Sequence, residues 1–413
     1  MSDAPAATIA PPAILSAGAA ASVLAALPGA RAVGGLVRDA LAGLPLHDID
    51  IAAPLPPEVI VARLRAAGLR VFETGLAHGT VTAVLDRQPV EVTSLRRDVA
   101  TDGRHAAVEW TTDWREDAAR RDFSINALSM AADGRLWDYF GGQADLAAGR
   151  VCFVGDPATR LREDYLRALR FFRFQARYGR GAPDPAAIEA IRDAVPGLAR
   201  LSAERVWMEL KRLLAAPDPS GAVRLMEAAG VLRAAPVLPE AGELDALARL
   251  PATGAPPEPV LRLAALLPPG MAEARIGALA ERLRFSGEEA AMLIGFQEAA
   301  APADAPLADA PAVALRRALS RRDHAALHRL GWLAEARSAA GDWAGFHARL
   351  DAIAAPAFPL QGRDVLALGV PPGPLVGQLL HAAREAWREG GCVDGPEACM
   401  VTLRRLVASK AGE

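Results

Sequence analysis

The chain has 413 residues, a net charge of −3, and 52% hydrophobic against 23% charged residues. That is long enough for two or three domains with a sizeable core, and the slightly acidic balance argues against a protein coated in basic residues, so any nucleic-acid contact has to come from a local patch. No run reaches the ~18–20 apolar residues of a membrane helix, and the first residues lack a basic region followed by an apolar one, so neither a membrane anchor nor a signal peptide is expected. Three scattered cysteines, Cys152, Cys392 and Cys399, form no C-x-x-C pair, which points to a reducing, cytoplasmic setting and gives zinc no support.

The N-terminal third alternates strands and helices. Arg31 to Val33 reads as a strand, Gly34-Gly35 as a tight turn, and Leu36-Val37-Arg38-Asp39 as the start of a short helix. A second strand, Asp48 to Ala52, carries Asp48 and Asp50 two residues apart, hence on one face. Two carboxylates held together repel unless a cation sits between them, and hard oxygen ligands at this spacing suit Mg²⁺, which binds through one or two carboxylates plus substrate phosphates. Backbone N–H groups at the glycine turn can meet a triphosphate. Taken singly, a Gly-Gly turn and an Asp-x-Asp are ordinary features. The G-x-G-x-x-G fingerprint of dinucleotide enzymes is absent, which places a dehydrogenase low.

Pro56 to Ala67 reads as a helix and Arg70 to Glu73 as a strand. Gly79 to Leu85 and Pro89 to Leu95 are β-rich runs parted by Asp86-Arg87-Gln88, a hairpin signal. Glu91 alternates with Val90 and Val92, so it reads as an inward acid able to complete a three-carboxylate site with Asp48 and Asp50. An exposed edge-strand acid is the plain alternative. Leu95 to His105 is polar, carries Gly103 and reads as a mobile loop. Leu128 to Asp138, turning at Asp133-Gly134, is a further hairpin.

Helical periodicity begins near Thr159. Thr159 to Tyr178 is expected as one long helix on which Asp164, Arg167, Arg170 and Arg173 recur every three residues along a broad face, and an amphipathic surface helix would look the same. Ser202 is an expected N-cap for a helix reaching Leu214, with Arg205 and Glu209 spaced to pair. Between Arg160 and Arg212 there are twelve basic against seven acidic residues, either a nucleic-acid patch or a solvated helical face. Proline-rich breaks then divide short helices, among them one on which His324 and His328 read as an ordinary face. A last segment from about Leu360 carries two helices.

Three strings combined say more than their parts. Gly34-Gly35-Leu36-Val37-Arg38-Asp39 with Asp48-Ile49-Asp50, then Arg120-Arg121-Asp122-Phe123-Ser124-Ile125-Asn126-Ala127-Leu128, then Glu163-Asp164-Tyr165-Leu166-Arg167 resemble the motifs of the class II CCA-adding tRNA nucleotidyltransferase and bacterial poly(A) polymerase family. Ser124 stands where that family usually has Thr and keeps the hydroxyl. The resemblance covers residues 30 to 215 and continues weakly through Gly362-Arg363-Asp364-Val365-Leu366 and Pro371 to Gly377.

The resemblance implies an α+β protein. A nucleotidyltransferase (polymerase-β-like) mixed-sheet head at 1–150 is followed by an all-α neck at 151–215, body at 216–355 and tail at 356–413. It implies catalytic Asp48 and Asp50, holding Mg²⁺, and Glu91 joins them as a catalytic residue on its strand position alone. Gly34, Gly35, Arg38 and Arg121 would meet the nucleotide. Asp164 and Arg167 would read the base edge, and Arg170 and Arg173 would face phosphates or support that pair. Related enzymes need a flexible loop, here Leu95 to His105, for the final A only. The implied activity adds C, C and A to a tRNA 3′ end from CTP and ATP without a nucleic-acid template. Poly(A) polymerase shares the three strings but typically carries a basic extension, whereas this chain reads Arg404-Arg405-Leu-Val-Ala-Ser-Lys-Ala-Gly-Glu413. A catalytically dead RNA-binding module is the rival of another class, and the intact acids speak against it. Oligomeric state stays open.

Overall fold

A computed structural model describes residues 3–46, 48–76, 79–101, 106–298, 307–338 and 340–411. The chain divides into two compact units, residues 1–239 with 282–284, and residues 240–281 with 285–413.

In the first unit, an eight-stranded sheet runs in the order β1-β10-β9-β2-β3-β6-β5-β4. Its strands are β1 (Ala7–Thr8), β2 (Arg31–Val33), β3 (Asp50–Ala53), β4 (Arg70–Gly75), β5 (Thr80–Leu85), β6 (Gln88–Ser94), β9 (Leu128–Met130) and β10 (Arg135–Asp138). Strand β3 pairs with β6 in parallel while the other neighbouring strands pair antiparallel, so the sheet is mixed, as expected. Asp86 and Arg87 both take positive φ, 50° and 65°, in the β5–β6 turn. That is the primed geometry whose twist matches a two-residue hairpin.

Alternation decides what each face carries. Ile51, Ala53, Val90 and Val92 enter one core with Val23 of α2 (Gly18–Ala26) and Ile60 and Leu64 of α4 (Pro57–Ala66). The short helices α1 (Ala13–Ser16) and α3 (Gly35–Leu41) complete this layer. Asp50, Ala52, Glu91 and Thr93 therefore fall on the opposite face.

Leu95 to His105 is not a loop throughout. Strand β7 (Arg96–Thr101) pairs with β8 (Ala106–Trp110) as a separate two-stranded ribbon, Arg96 opposite Trp110; residues 102–105 lie outside the described residues. The backbone groups of this polar stretch pair with each other, which needs no buried side chains. Helix α5 (Trp114–Ala119) follows. Its Trp114 packs with Val33, Ala52 and Leu95, and Asp113 caps it by accepting from the Arg115 N–H at 2.8 Å.

The expected single helix from Thr159 to Tyr178 is two. After α6 (Gly142–Ala148), α7 (Pro157–Glu163) stops and α8 (Leu166–Tyr178) starts anew. Asp164 between them is extended, φ −157° and ψ 107°, and its Oδ1 accepts from the Leu166 N–H at 3.1 Å. An aspartate able to bond the backbone two residues on competes with the helix. Apolar periodicity on both sides hid the break. The unit continues with α9 (Pro185–Ala194), α10 (Ala203–Leu214) and α11 (Ser220–Ala228). Ser202 sits at the N-cap of α10 but its side chain makes no capping bond.

Among its described residues the second unit is helical. Leu360, Val365, Leu379, Trp387 and Leu403 form a core beneath the helices Pro374–Glu389 and Pro396–Ala411. His328 is not on a plain helix face, since its Nε2 lies 2.8 Å from Asp351 and its ring stacks on His347. Among the described residues, no helix is long and apolar enough to cross a membrane.

Candidate active site

A cavity of about 620 Å³ in the first unit is walled by Gly34, Gly35, Arg38, Asp50, Arg121, Asp164, Arg167, Arg170 and Arg173, all singled out from sequence. Arg120, neighbour of Arg121 in the arginine pair of the second string, also lines it, as do Arg96, Asp122, Asn126 and Arg205, to which the sequence assigns no site role. Asp122 and Asn126 stand inside the second quoted string, so the signal was present. By its spacing Arg205 is expected to pair with Glu209 on the helix face. It bonds Asp164 instead, 2.6 Å from Oδ2, because α10 lies along α8 and cross-helix partners outcompete an i,i+4 pair.

The carboxylates meet at β3. Asp50 stands opposite Glu91 in the parallel β3–β6 register. Glu91 is exposed rather than inward, but β6 is an interior strand, so it is no edge acid either. Asp48 is exposed just ahead of β3. Burial, then the Glu91 charge, pushes the Asp50 carboxyl above its ordinary value; Arg121 pulls it down and Asp48 adds to the rise. Asp48 and Glu91 flank Asp50 without forming the cavity wall. Among the described residues, no group of three or more His, Cys, Asp or Glu side chains is arranged to hold a metal ion by itself. Two carboxylates completed by substrate phosphates is the arrangement Mg²⁺ commonly takes, and the crowding of like charge at Asp50 is what a cation relieves.

The glycine turn works by clearance. Gly34 has φ +63°, and a Cβ there would lie 3.1 Å from Arg121 Nη1, so a side chain would crowd the arginine and strain the backbone. Its N–H is not available to a phosphate in this conformation, since it donates to the Leu128 carbonyl at 3.3 Å. Arg38 lies over the rings of Phe174 and Tyr178. It donates to Asn126 Oδ1 at 2.5 Å and to Asp39 Oδ1 at 2.9 Å.

Arg167, Arg170 and Arg173 of α8 are each matched to an acid. Arg170 Nε donates to Asp122 Oδ2 at 2.7 Å. Burial would raise the Asp122 carboxyl, but Arg170 together with bonds from Asn126 and Phe123 holds it below its usual value. Arg173 lies 2.6 Å from Glu209, close as an ion pair but not aligned as a hydrogen bond. Burial lowers its pKa and Glu209 opposes the shift. Arg167 pairs with Glu163 and donates to the Arg160 carbonyl at 2.9 Å. Of the basic residues read as a patch, Arg167, Arg170, Arg173 and Arg205 line this cavity, and each is paired with an acid.

A cavity joining carboxylates to clustered guanidinium groups is the constellation of a nucleotidyltransferase, and the comparisons with known proteins agree. Residues 30–152 match the poly A polymerase head domain, and residues 182–242 match the "Probable RNA and SrmB- binding site of polymerase A". The "CCA tRNA nucleotidyltransferase 1, mitochondrial" of Mus musculus is 36% identical over 384 residues, 87% of this chain and 83% of that protein. The protein of the same name in Danio rerio is 42% identical over 264 residues, 63% of this chain and 60% of that one. The Bacillus stearothermophilus CCA-adding enzyme, solved in complex with CTP, superimposes with a TM-score of 0.71 at 26% identity, covering 95% of this chain and 99% of that one. The chain belongs to the CCA tRNA nucleotidyltransferase family. Nucleotidyltransferases of this family generally work with divalent metal ions.

Proposed function

We propose that this chain adds C, C and A to the 3′ end of tRNA from CTP and ATP, releasing pyrophosphate, with the protein itself choosing the base. The observation that carries the reading is that one cavity holds both Asp50 and the Asp164–Arg167 pair, so the reacting phosphate and the base edge are gripped together. Relatives named as CCA enzymes over most of this chain's length favour this activity over poly(A) addition.

Asp48 and Asp50 would hold Mg²⁺, which when bound supplies charge to activate the primer 3′-hydroxyl and steady the leaving pyrophosphate. Glu91, opposite Asp50, completes the acidic surface. Arg38 and Arg121 set the positive wall for the triphosphate, and Gly34 and Gly35 keep the approach open. As the primer oxygen bonds to the α-phosphorus, the bond from that phosphorus to the bridging oxygen breaks, the oxygen leaves with pyrophosphate, and the hydroxyl proton passes to solvent. Asp164, fixed by Arg205 and the Leu166 N–H, offers carboxylate oxygens. Arg167, fixed by Glu163, offers donors. Cytosine and adenine each present an exocyclic amine beside a ring-nitrogen acceptor, and so fit the same pair. Guanine and uracil put a carbonyl against the carboxylate. Arg170 and Arg173 hold this helix through Asp122 and Glu209.

The head, neck, body and tail are assigned to residues 1–150, 151–215, 216–355 and 356–413, with the tail as the tRNA-holding part. The three cysteines are free thiols, which suits a reducing compartment, and the location proposed here is cytoplasmic. The test uses tRNA lacking its 3′ end with each labelled NTP in turn. C and A should enter in order, and U and G should not. Asp164→Ala and Arg167→Ala should admit UTP or GTP while slowing CTP and ATP, because a hydrogen-bonding site rejects mismatched analogues by roughly 10⁴-fold. Products extended only by A, or wild-type base choice in both variants, would refute the activity or the base-reading roles respectively.

A further inference from the structure

A buried carboxylate outside the cavity wall ties the site together. Asp117 on α5 is 2% exposed. Its Oδ1 accepts from Arg120 Nε at 2.9 Å, and its Oδ2 accepts from Arg121 Nη2 at 3.2 Å. Oδ1 also accepts the backbone N–H of Arg96 at 3.3 Å, the first residue of the β7–β8 ribbon. Arg96, Arg120 and Arg121 all line the cavity.

We infer that Asp117 is a positioning residue that couples the β7–β8 ribbon to the paired arginines of the nucleotide pocket; the inference rests on the pocket being a triphosphate site.

Three observations carry it. Helix α5 is a fixed base, since Trp114 is packed on Val33, Ala52 and Leu95, and Ala118 on Ala127 and Val154. The carboxylate is therefore held by the sheet and cannot follow solvent. Next, one negative charge faces two guanidinium groups, which leaves a net positive charge aimed at the pocket. Each guanidinium has five N–H donors, and Asp117 accepts one from each, so both are oriented while donors stay available to phosphate. Finally, the ribbon's described backbone touches this centre at Arg96 through the amide itself. A shift of the arginines toward a triphosphate pulls on the carboxylate that seats the ribbon. Groups sharing one buried hydrogen-bond centre respond together rather than additively.

The test is Asp117→Asn, which removes the charge with little change of shape. Binding of labelled CTP and ATP without tRNA should weaken at least tenfold. The amides of residues 96–101 should exchange with solvent at least tenfold faster. With tRNA, KM for nucleotide should rise more than kcat falls. A merely structural Asp117 would lower the thermal midpoint without moving KM well below it. Nucleotide affinity within threefold of wild type, with unchanged exchange, overturns the inference.

A second measurement needs no variant to fold. In the wild-type protein, CTP should slow exchange of residues 96–101 at least threefold, and no change overturns the coupling. Both readouts are taken without tRNA. A wild-type protein that binds nucleotide but extends no tRNA therefore rejects the proposed function and leaves this test standing.

Discussion

Asp50, the proposed metal ligand, shows how a buried carboxylate can cost its own fold. Burial and the charges of Glu91 and Asp48 push its carboxyl above the ordinary value, so a proton binds the folded state more tightly than the unfolded chain. Stability from that proton is fully present below the unfolded value of 3.8 and is lost as pH rises through the folded one. At pH 7 the ionised carboxylate therefore destabilises the protein. Asp50→Asn is expected to raise the thermal midpoint at pH 7 without divalent ions, and that advantage should vanish below pH 3.8. The same variant should abolish addition of both C and A. Mg²⁺ should raise the midpoint of the wild type and leave the variant unmoved. A lower midpoint for the variant at pH 7 would show that the repulsion is already relieved, and single-turnover rates within tenfold of wild type would remove Asp50 from the metal site.

Two elements differ from their sequence reading, and both bear on the site. The break between α7 and α8 puts Asp164 in extended backbone rather than on a helical turn, which lets Arg205 reach it from α10. Continuous helix would have spread Asp164, Arg167, Arg170 and Arg173 around a slow spiral. The kink moves Asp164 off that spiral, and it joins Arg167, Arg170 and Arg173 of α8 at one cavity. The ribbon is the other case. Strands β7 and β8 are ordered by their mutual pairing and by the Arg96 link to Asp117. Replacing residues 102–105 by a two-residue turn is expected to spare CMP incorporation and weaken AMP incorporation, read as product lengths on tRNA ending before the first C. Equal loss of both would make the segment part of the common chemistry.

A chain of net charge −3 must hold an anionic RNA by concentrating its cations. Many arginines are already committed to acids of the same unit, as Arg170 is to Asp122 and Arg160 to Glu163. Few phosphates can then be neutralised, and the salt dependence of tRNA binding should be shallow, since the slope follows the number of phosphate contacts. Deleting residues 356–413 is expected to weaken tRNA binding at least tenfold and reduce that slope, while CTP affinity stays within twofold. Filter binding across a salt series checks both. Unchanged tRNA affinity would reject the tail assignment.

Much of this protein could be read from residue order because the relevant signals are local. Alternation in Val90-Glu91-Val92 fixes which face a strand buries. The Asp86-Arg87 turn sets a register, and the glycines and acids of the quoted strings sit within a few residues of one another. Those signals located the mixed sheet and its hairpins, while most of the cavity wall was found through the resemblance that the three strings carry. They could not reveal Asp117, because a lone aspartate in an ordinary helix has no periodicity or spacing to mark it. They could not reveal the Arg205–Asp164 bond either, since its partners are 41 residues apart and meet only because α10 packs along α8. Whether a charge is solvated, paired or strained depends on what folding brings beside it. For that reason the positions of the acids were legible in the sequence, and the shift at Asp50, the pairing of each arginine and the seat of the ribbon were settled by packing.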